Sequence, residues 1–255
     1  MDFGLKNKKI LITGSSDGFG ATLASVLADE GADLVLHDIA LPGKQEKLDE
    51  LKQSLEQTHH VAVETVCADL SKPEEAEALF RQANSGKPVD MLVNNAAVWL
   101  TAYIQEMTTE SFIRTLDINL VASFVLCRQM LNALIARKAR GKIVNMVSQA
   151  AFFGSTSGHA HYAASKAGLV GFSISLAREA APYGINVNCL APGMMRTPMN
   201  EKALKEREAE YLARIPLRRI AEPREVAYGA AFLLGNKSDY ITGATLDATG
   251  GMLMR

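Results

Sequence analysis

The chain has 255 residues, enough for one α/β domain with a large core. Lys and Arg number 27 against 28 Asp and Glu, a formal net charge of -1, which leaves no basic footprint for nucleic acid or an anionic membrane and makes a small molecule the expected partner. Cys67, Cys127 and Cys189 are an odd, widely spaced set inside apolar runs, and no CxxC or HExxH occurs, so buried thiols in a reducing compartment are expected rather than disulfides or a metal site.

Lys6, Lys8 and Lys9 precede an apolar run that stops at Thr13-Gly14, too short for a signal-peptide core. No uninterrupted apolar run approaches the roughly 18 residues of a membrane span, and a soluble cytoplasmic protein is expected. Lys9-Ile10-Leu11-Ile12-Thr13 reads as a short strand buried on both faces. It runs into Gly14-Ser15-Ser16-Asp17-Gly18-Phe19-Gly20 and then a helix over 21–30, with Leu23, Val26 and Leu27 at helical spacing and Gly31 as its stop. A strand over 34–37 ends on Asp38 and completes a βαβ unit.

The alternation continues with a charged helix over 44–57, a strand over 61–67 and a helix opened by Ser71-Lys72-Pro73-Glu74, in which Ser71 and Glu74 have the spacing of a capping box. A strand at 91–93 leads into Asn94-Asn95-Ala96-Ala97. A long helix is predicted over 109–137 with Ile113, Leu116, Leu120, Phe124 and Leu131 on one face. Its flanks are both apolar, as in a helix covered by a sheet on one side and a partner subunit on the other. A strand over 142–147 ends at Ser148, and a Gly- and Ser-rich loop joins it to a helix that reaches about residue 181. The strand over 185–190 ends in Ala191-Pro192-Gly193, and residues 194–219, charged and Met-containing, read as a mobile flap over a site. A helix after Pro223 and a strand near 245–247 follow. The pattern predicts one domain over 1–255, a Rossmann-type doubly wound parallel sheet of about seven strands with helices on both faces.

Two stretches carry chemistry. Backbone N–H groups at a helix N-terminus attract phosphate oxygens, and glycines let the chain approach them, so the turn from Gly14 to Gly20 after the first strand is a candidate dinucleotide cradle. The Asp38 carboxylate ends the next strand, where it can accept hydrogen bonds from an adenosine ribose and would repel a 2′-phosphate. Ile39, Ala40 and Leu41 offer no cation, and Asp17 adds negative charge, so NAD(H) is favoured over NADP(H). Tyr162 and Lys166 stand four apart on one helical face, where a fixed cation favours ionisation of a phenol whose ordinary pKa is about 10.

Thr13-Gly14-Ser15-Ser16-Asp17-Gly18-Phe19-Gly20 resembles the TGxxxGxG fingerprint of the classical short-chain dehydrogenase/reductase family. Asn94-Asn95-Ala96-Ala97 resembles its NNAG motif, and Ser148, Tyr162-x-x-x-Lys166 and Pro192-Gly193 match in order. Ile241-Thr242-Gly243 and Gly250-Gly251 extend the resemblance over nearly the whole chain. It implies a catalytic set of Asn119, Ser148, Tyr162 and Lys166. Tyr162 would transfer the proton, Ser148 would hold the reacting oxygen, and Lys166 would lower the Tyr162 pKa and bind the nicotinamide ribose, with Asn119 positioning a water. By the same resemblance Ser16, Phe19 and Ala96 belong to the cofactor site with the glycines, and Ile39 adjoins Asp38 there. Asp69 and Leu70 would flank the adenine, Asn95 the adenosine ribose or adjoining backbone, and Pro192, Gly193, Met195 and Thr197 the nicotinamide end.

Ala97 replaces the last Gly of the NNAG motif, and the interval from Ser148 to Tyr162 is one residue longer than is common in the family. The loop over 149–161 is therefore expected to shape the substrate pocket, with Trp99, Gln149, Phe152, Phe153, His159, Met194 and Met199 as candidate walls and His161 as loop surface. The resulting expectation is an NAD(H)-dependent oxidoreductase interconverting a secondary alcohol and a ketone on a polyol or sugar. A 3-oxoacyl-thioester reductase is the alternative, disfavoured because Tyr183 stands where such reductases often place Arg. A dinucleotide-sensing protein without turnover is the alternative of another class. The family habit implies a homotetramer, or at least a dimer.

Overall fold

The computed structural model describes residues 2–155 and 157–254. Seven strands, β1 (Lys9–Thr13), β2 (Asp33–Asp38), β3 (Val63–Cys67), β4 (Met91–Asn94), β5 (Gly141–Met146), β6 (Ile185–Pro192) and β7 (Thr245–Ala248), form one parallel sheet in the order β3-β2-β1-β4-β5-β6-β7. The central strands are buried on both faces because their alternating side chains feed two cores. Ile10 and Ile12 point into one core and Leu11 into the other, as do Val93 and Leu92 in β4.

One layer consists of α1 (Gly18–Asp29), α2 (Lys44–His59) and α9 (Pro223–Leu234). The opposite layer holds α3 (Pro73–Ala83), α4 (Thr109–Leu116), α5 (Ala122–Ala136) and α7 (Ala160–Ala180). Two further helices, α6 (Ala150–Phe153) and α8 (Glu201–Arg214), lie over the ends of the strands. The strand order reverses between β1 and β4, so the connections diverge there and leave a crevice at the carboxyl ends of the strands.

Three local expectations change. The predicted long helix is interrupted between α4 and α5 by a π-helical turn over Asp117–Val121, which contains Asn119. The helix 109–136 is long and apolar enough to cross a membrane, but in this fold Val125, Leu126, Cys127, Met130 and Leu134 are buried against the sheet layer. The predicted stripe is split by the turn, with Ile113 and Phe124 exposed while Leu120 and Leu131 pack against buried clusters.

The capping box at α3 does not form. Ser71 donates from both N and Oγ to Asp69 Oδ1, at 3.0 and 2.7 Å, and Lys72 becomes the N-cap. Glu75 rather than Glu74 reaches back, accepting from the Asp69 N–H at 2.6 Å. Cys67, expected to be buried, is half-buried and donates to Gln45 Oε1, whereas Cys127 and Cys189 are buried.

The segment following β6 is an excursion closed at its base. Met195 pairs with Ala221 in an isolated parallel bridge, Arg196 N donates to Ala221 O, and Ala221 N donates to Met194 O. Between these ends α8 carries a kink at Arg207 (φ -139°), and Leu204 packs with Met194, Ile215 and Ile220 in a small core separate from the two main ones.

Candidate active site

A cleft of about 510 Å³ runs along the carboxyl ends of the strands. Its floor at one end is the turn between β1 and α1. A Cβ on Gly20 would lie 2.1 Å from Gly14 O, so only glycine lets the turn close. Gly18 sits at φ +57°, and a Cβ there would project toward Thr197 and Pro198 across the cleft. This is a cradle of bare backbone at a helix N-terminus whose first turn carries no acid, as a pyrophosphate requires.

Around this turn the neighbouring strands supply polar struts. Asn95 Nδ2 donates to Thr13 O and Gly14 O at 2.9 and 2.8 Å, so its side chain holds the adjoining backbone. His37 Nδ1 accepts from Gly14 N, and its Nε2 lies 3.1 Å from Ala68 O. Burial pulls the His37 pKa down and keeps the ring neutral, as this pairing needs. Asp38 Oδ2 accepts from Ser16 Oγ at 2.6 Å and Ser16 N at 3.3 Å, and its Oδ1 accepts from Ile39 N at 2.8 Å. Asp17, Asp38, Ile39, Asp69 and Leu70 line this end of the cleft with Phe19 and Ala96, whereas Ser16 lies beneath its surface and acts through Asp38.

At the other end three residues meet from β5 and α7. Ser148, just beyond β5, hydrogen-bonds the Tyr162 phenol and accepts from Ala150 N at 3.1 Å. Burial pushes the Tyr162 pKa up, and the Ser148 hydrogen bond pulls it partly back. Lys166 is buried, and this pulls its pKa down to about 8. Its Nζ donates to Met146 O at 2.7 Å and stands 5.7 Å from the centre of the Tyr162 ring. The phenol is therefore displaced opposite to the expected direction: the ammonium is turned to a carbonyl, and desolvation of both groups outweighs their attraction.

Asn119 lies off the cleft wall. Its Oδ1 accepts from Val98 N at 2.8 Å, and its Nδ2 donates to Val98 O at 3.0 Å and to Ser165 Oγ at 3.1 Å. Ser165 Oγ in turn donates to Tyr162 O at 2.7 Å.

Of the proposed substrate walls, Trp99, Gln149, His159, Met194 and Met199 line the cleft. The His159 ring stacks on Trp99 with centroids 4.5 Å apart at 14°, and its Nε2 meets Thr101 Oγ1 at 3.1 Å. Ala102 N donates to Gly158 O at 2.8 Å, so the loops after β4 and β5 are tied together. Phe152 turns instead into the core beside Val147 and Leu169, and its neighbour Phe153 takes the cleft position. His161, expected at the loop surface, is the second residue of α7 and fully buried. Neither ring nitrogen has a hydrogen-bond partner among the described residues, and burial lowers its pKa. Pro192, Gly193, Met195 and Thr197 complete the wall between the two ends.

Lining residues outside the expected set include Lys44, Arg114, Tyr211, Arg214 and Met252. Only the fold brings them in, because four come from the starts or ends of helices whose exposed faces carry no motif and Met252 comes from the segment after β7. Among the lining residues all three carboxylates, Asp17, Asp38 and Asp69, stand at or just beyond the ends of β1, β2 and β3. Arg214 stands with Tyr211 on the flap.

A family profile described as Enoyl-(Acyl carrier protein) reductase matches residues 14–253. Nodulation protein G of Rhizobium sp. (strain N33) is 36% identical over 253 residues, covering 99% of each chain. A 3-oxoacyl-(acyl-carrier-protein) reductase of Rickettsia prowazekii is 36% identical over 250 residues, covering 98% of each. Among solved structures, L-sorbose reductase from Gluconobacter frateurii, complexed with NADPH and L-sorbose, superposes with a TM-score of 0.91 at 30% identity over 100% of both chains.

Proposed function

The chain belongs to the short-chain dehydrogenase/reductase family, and from that premise we propose that it is an NAD(H)-dependent oxidoreductase interconverting a secondary alcohol and a ketone on a small polyol or sugar. The observation that carries the reading is the hydrogen-bonded Ser148–Tyr162 pair at one end of a cleft whose other end is a glycine-lined helix N-terminus. The residues fit a nicotinamide dinucleotide, which when bound supplies or accepts the hydride.

The chain's own groups handle the oxygen and the proton. A substrate oxygen held between Ser148 Oγ and the Tyr162 hydroxyl receives its proton from Tyr162 in reduction and surrenders it to Tyr162 in oxidation. Ser148 donates to the oxygen as charge develops on it. Lys166, buried behind the phenol, supplies positive charge that favours the phenolate when protonated. Asn119 acts on this centre through Val98 and Ser165, as a positioning residue.

Asp38 supports NAD(H), since its carboxylate stands at the end of β2 where ribose hydroxyls would bind. The Trp99–His159 platform, with Gln149 beside it, suits the mixed apolar and polar faces of a polyol or sugar. The three free cysteines fit a reducing compartment such as the cytoplasm. Exposed Ile113, Phe124 and Ile174 on α4, α5 and α7 support a homotetramer, or at least a dimer, built on that layer.

The second reading, reduction of a 3-oxoacyl thioester, draws on the 36% identity to the Rickettsia reductase. A screen of polyols, sugars and acetoacetyl thioesters with NADH and NADPH, followed by absorbance, separates the two. Tyr162-dependent turnover of polyols or sugars with NADH is expected. Efficient NADPH-linked thioester reduction without polyol turnover would overturn both the substrate and the cofactor assignment.

A further inference from the structure

The charges that line the cleft are sorted along its length. Asp17, Asp38 and Asp69 stand at the end formed by β1, β2 and β3, and no lining carboxylate belongs to the end where Ser148 meets Tyr162. The lining cations are engaged, with one exception. Lys44 donates to Asp17 Oδ2 at 3.1 Å, Arg114 lies in the field of Asp69, and Lys166 donates to Met146 O at 2.7 Å. The guanidinium of Arg214, the last residue of α8, has neither an ion pair nor a hydrogen bond among the described residues.

The flap does not need this guanidinium for its own structure. A helix leaves its last carbonyls without intrahelical donors, and here Arg218 supplies them. It turns back through a left-handed backbone (φ +56°), and its Nη1 donates to Ala213 O at 2.9 Å and to Leu212 O at 3.3 Å. Arg196 is held by Glu208, Arg207 by Glu210 and Arg219 by Glu225. Ile215, the next residue, is buried in the small core with Met194 and Leu204, so the backbone that carries Arg214 is fixed while Arg214 itself is exposed. Tyr211, three positions earlier on the same helical face, lines the cleft with it. The His159 imidazole adds no second charge, because burial, with His161 and Arg207 nearby, holds its pKa below the ordinary value.

We propose that the substrate is an acid of the polyol or sugar class, a hydroxy or keto compound ending in a carboxylate, and that Arg214 receives that carboxylate. One unpaired guanidinium matches one carboxylate in charge and, through its forked donors, in shape. A phosphate monoester brings about 1.5 to 2 negative charges, and the cleft holds no second unpaired cation among the described residues to meet them. A neutral polyol leaves the guanidinium in water and draws nothing from it, so Arg214 selects the acid by the contact it adds. The inference rests on the reading of the chain as an oxidoreductase acting on polyols or sugars, and it narrows that reading.

Full-length wild type, Arg214→Gln and Arg214→Lys are compared by absorbance kinetics on alditols, on the corresponding aldonates and on the corresponding phosphate monoesters, at low and high salt. Wild type is expected to favour the aldonate. Arg214→Gln is expected to lower the ratio of kcat/KM for the aldonate to that for the alditol by about 10- to 100-fold, the worth of one charge-assisted contact, with KM carrying most of the change. Arg214→Lys keeps the charge without the fork and should recover part of the ratio, and high salt should narrow it in wild type. NADH affinity by fluorescence titration and the melting temperature should match wild type in both variants, which ties the loss to the substrate contact. A ratio unmoved by Arg214→Gln, or a loss of NADH affinity that accounts for the change, would overturn the proposal. Arg214-dependent preference for the phosphate monoesters would overturn the carboxylate assignment. Wild type that turns over alditols at least as well as aldonates would overturn the inference and leave the polyol reading intact. Turnover of neither class would remove the polyol reading and the inference together.

Discussion

Asn119 grips both backbone polar groups of Val98, accepting from its N–H at 2.8 Å and donating to its carbonyl at 3.0 Å. The residue after Val98 is Trp99, and Asn119 also bonds Ser165, so one side chain sets the spacing between the Trp99 wall of the cleft and α7. Asn119→Ala leaves Val98 without its partners, at a cost of about 1–3 kcal/mol. The melting temperature should fall by several degrees, with the substrate KM rising more than the cofactor KM. An unchanged melting curve in scanning fluorimetry would show that the grip contributes nothing.

Tyr162→Phe deletes the transferable proton and little else, since the ring stays beside Lys166. The rate is expected to drop by about 10²–10⁴-fold while NADH binding, followed by fluorescence, stays near wild type. A variant that keeps most of its turnover would remove Tyr162 from the reaction.

Burial moves Tyr162 and Lys166 in opposite directions, and the pH dependence follows. Alcohol oxidation needs the phenolate, and the phenol pKa is raised above its ordinary 10, so oxidation should keep rising with pH across the alkaline range. Reduction, which needs the phenol, should hold through neutral pH. A bell centred below pH 7 for oxidation would contradict this assignment.

Lys166 gives a separate signature in stability. Its pKa is about 8 in the fold against 10.5 ordinarily, so between these values the unfolded chain holds a proton that the folded chain has released. Unfolding is then opposed more strongly as pH rises, and the buried ammonium's cost, up to about 3 kcal/mol, is relieved from pH 8 upward. Urea denaturation at pH 7.5 and 9.5 should show wild type gaining stability relative to Lys166→Met. Parallel changes in the two proteins would refute it.

His159 braces Trp99 by stacking and reaches Thr101 through Nε2. His159→Phe preserves the ring contact and loses the bond, whereas His159→Ala loses both. Substrate KM should rise modestly in the first and by about 10-fold or more in the second, a range typical of losing one aromatic contact with its packing. Steady-state kinetics with varied cofactor should show little change in either.

Strands and the glycine turn were legible because their signals are local. The apolar run Lys9–Thr13 and the glycines after it dictate one backbone path, and parallel pairing follows from the helices between strands. Lys44 was not legible, since six positions separate it from Asp38 in sequence and only the return of α2 over the end of β2 joins them. Phe152 leaves the expected wall while Phe153 keeps to it, because α6 makes a short helix where a loop was expected and one residue of rotation separates a ring in the core from one in the cleft. His161 was misread for the same reason: polarity suggested surface, but α7 begins one residue earlier and carries the imidazole inward. The π-helical turn at Asn119 has no periodicity of its own, being a single added residue within a helical pattern.

The flap's two ends meet at the Met195–Ala221 bridge, so the chain leaves and re-enters the sheet layer at nearly one point. An excursion with coincident ends is modular: its length and sequence can change without altering the path of β6 or α9. The fold therefore separates the excursion that closes one side of the cleft from the strand end and helix that hold Ser148, Tyr162 and Lys166. Evolution, or a designer, can graft a foreign 196–220 segment onto this chain and reshape that side of the cleft while leaving Ser148, Tyr162 and Lys166 where they are.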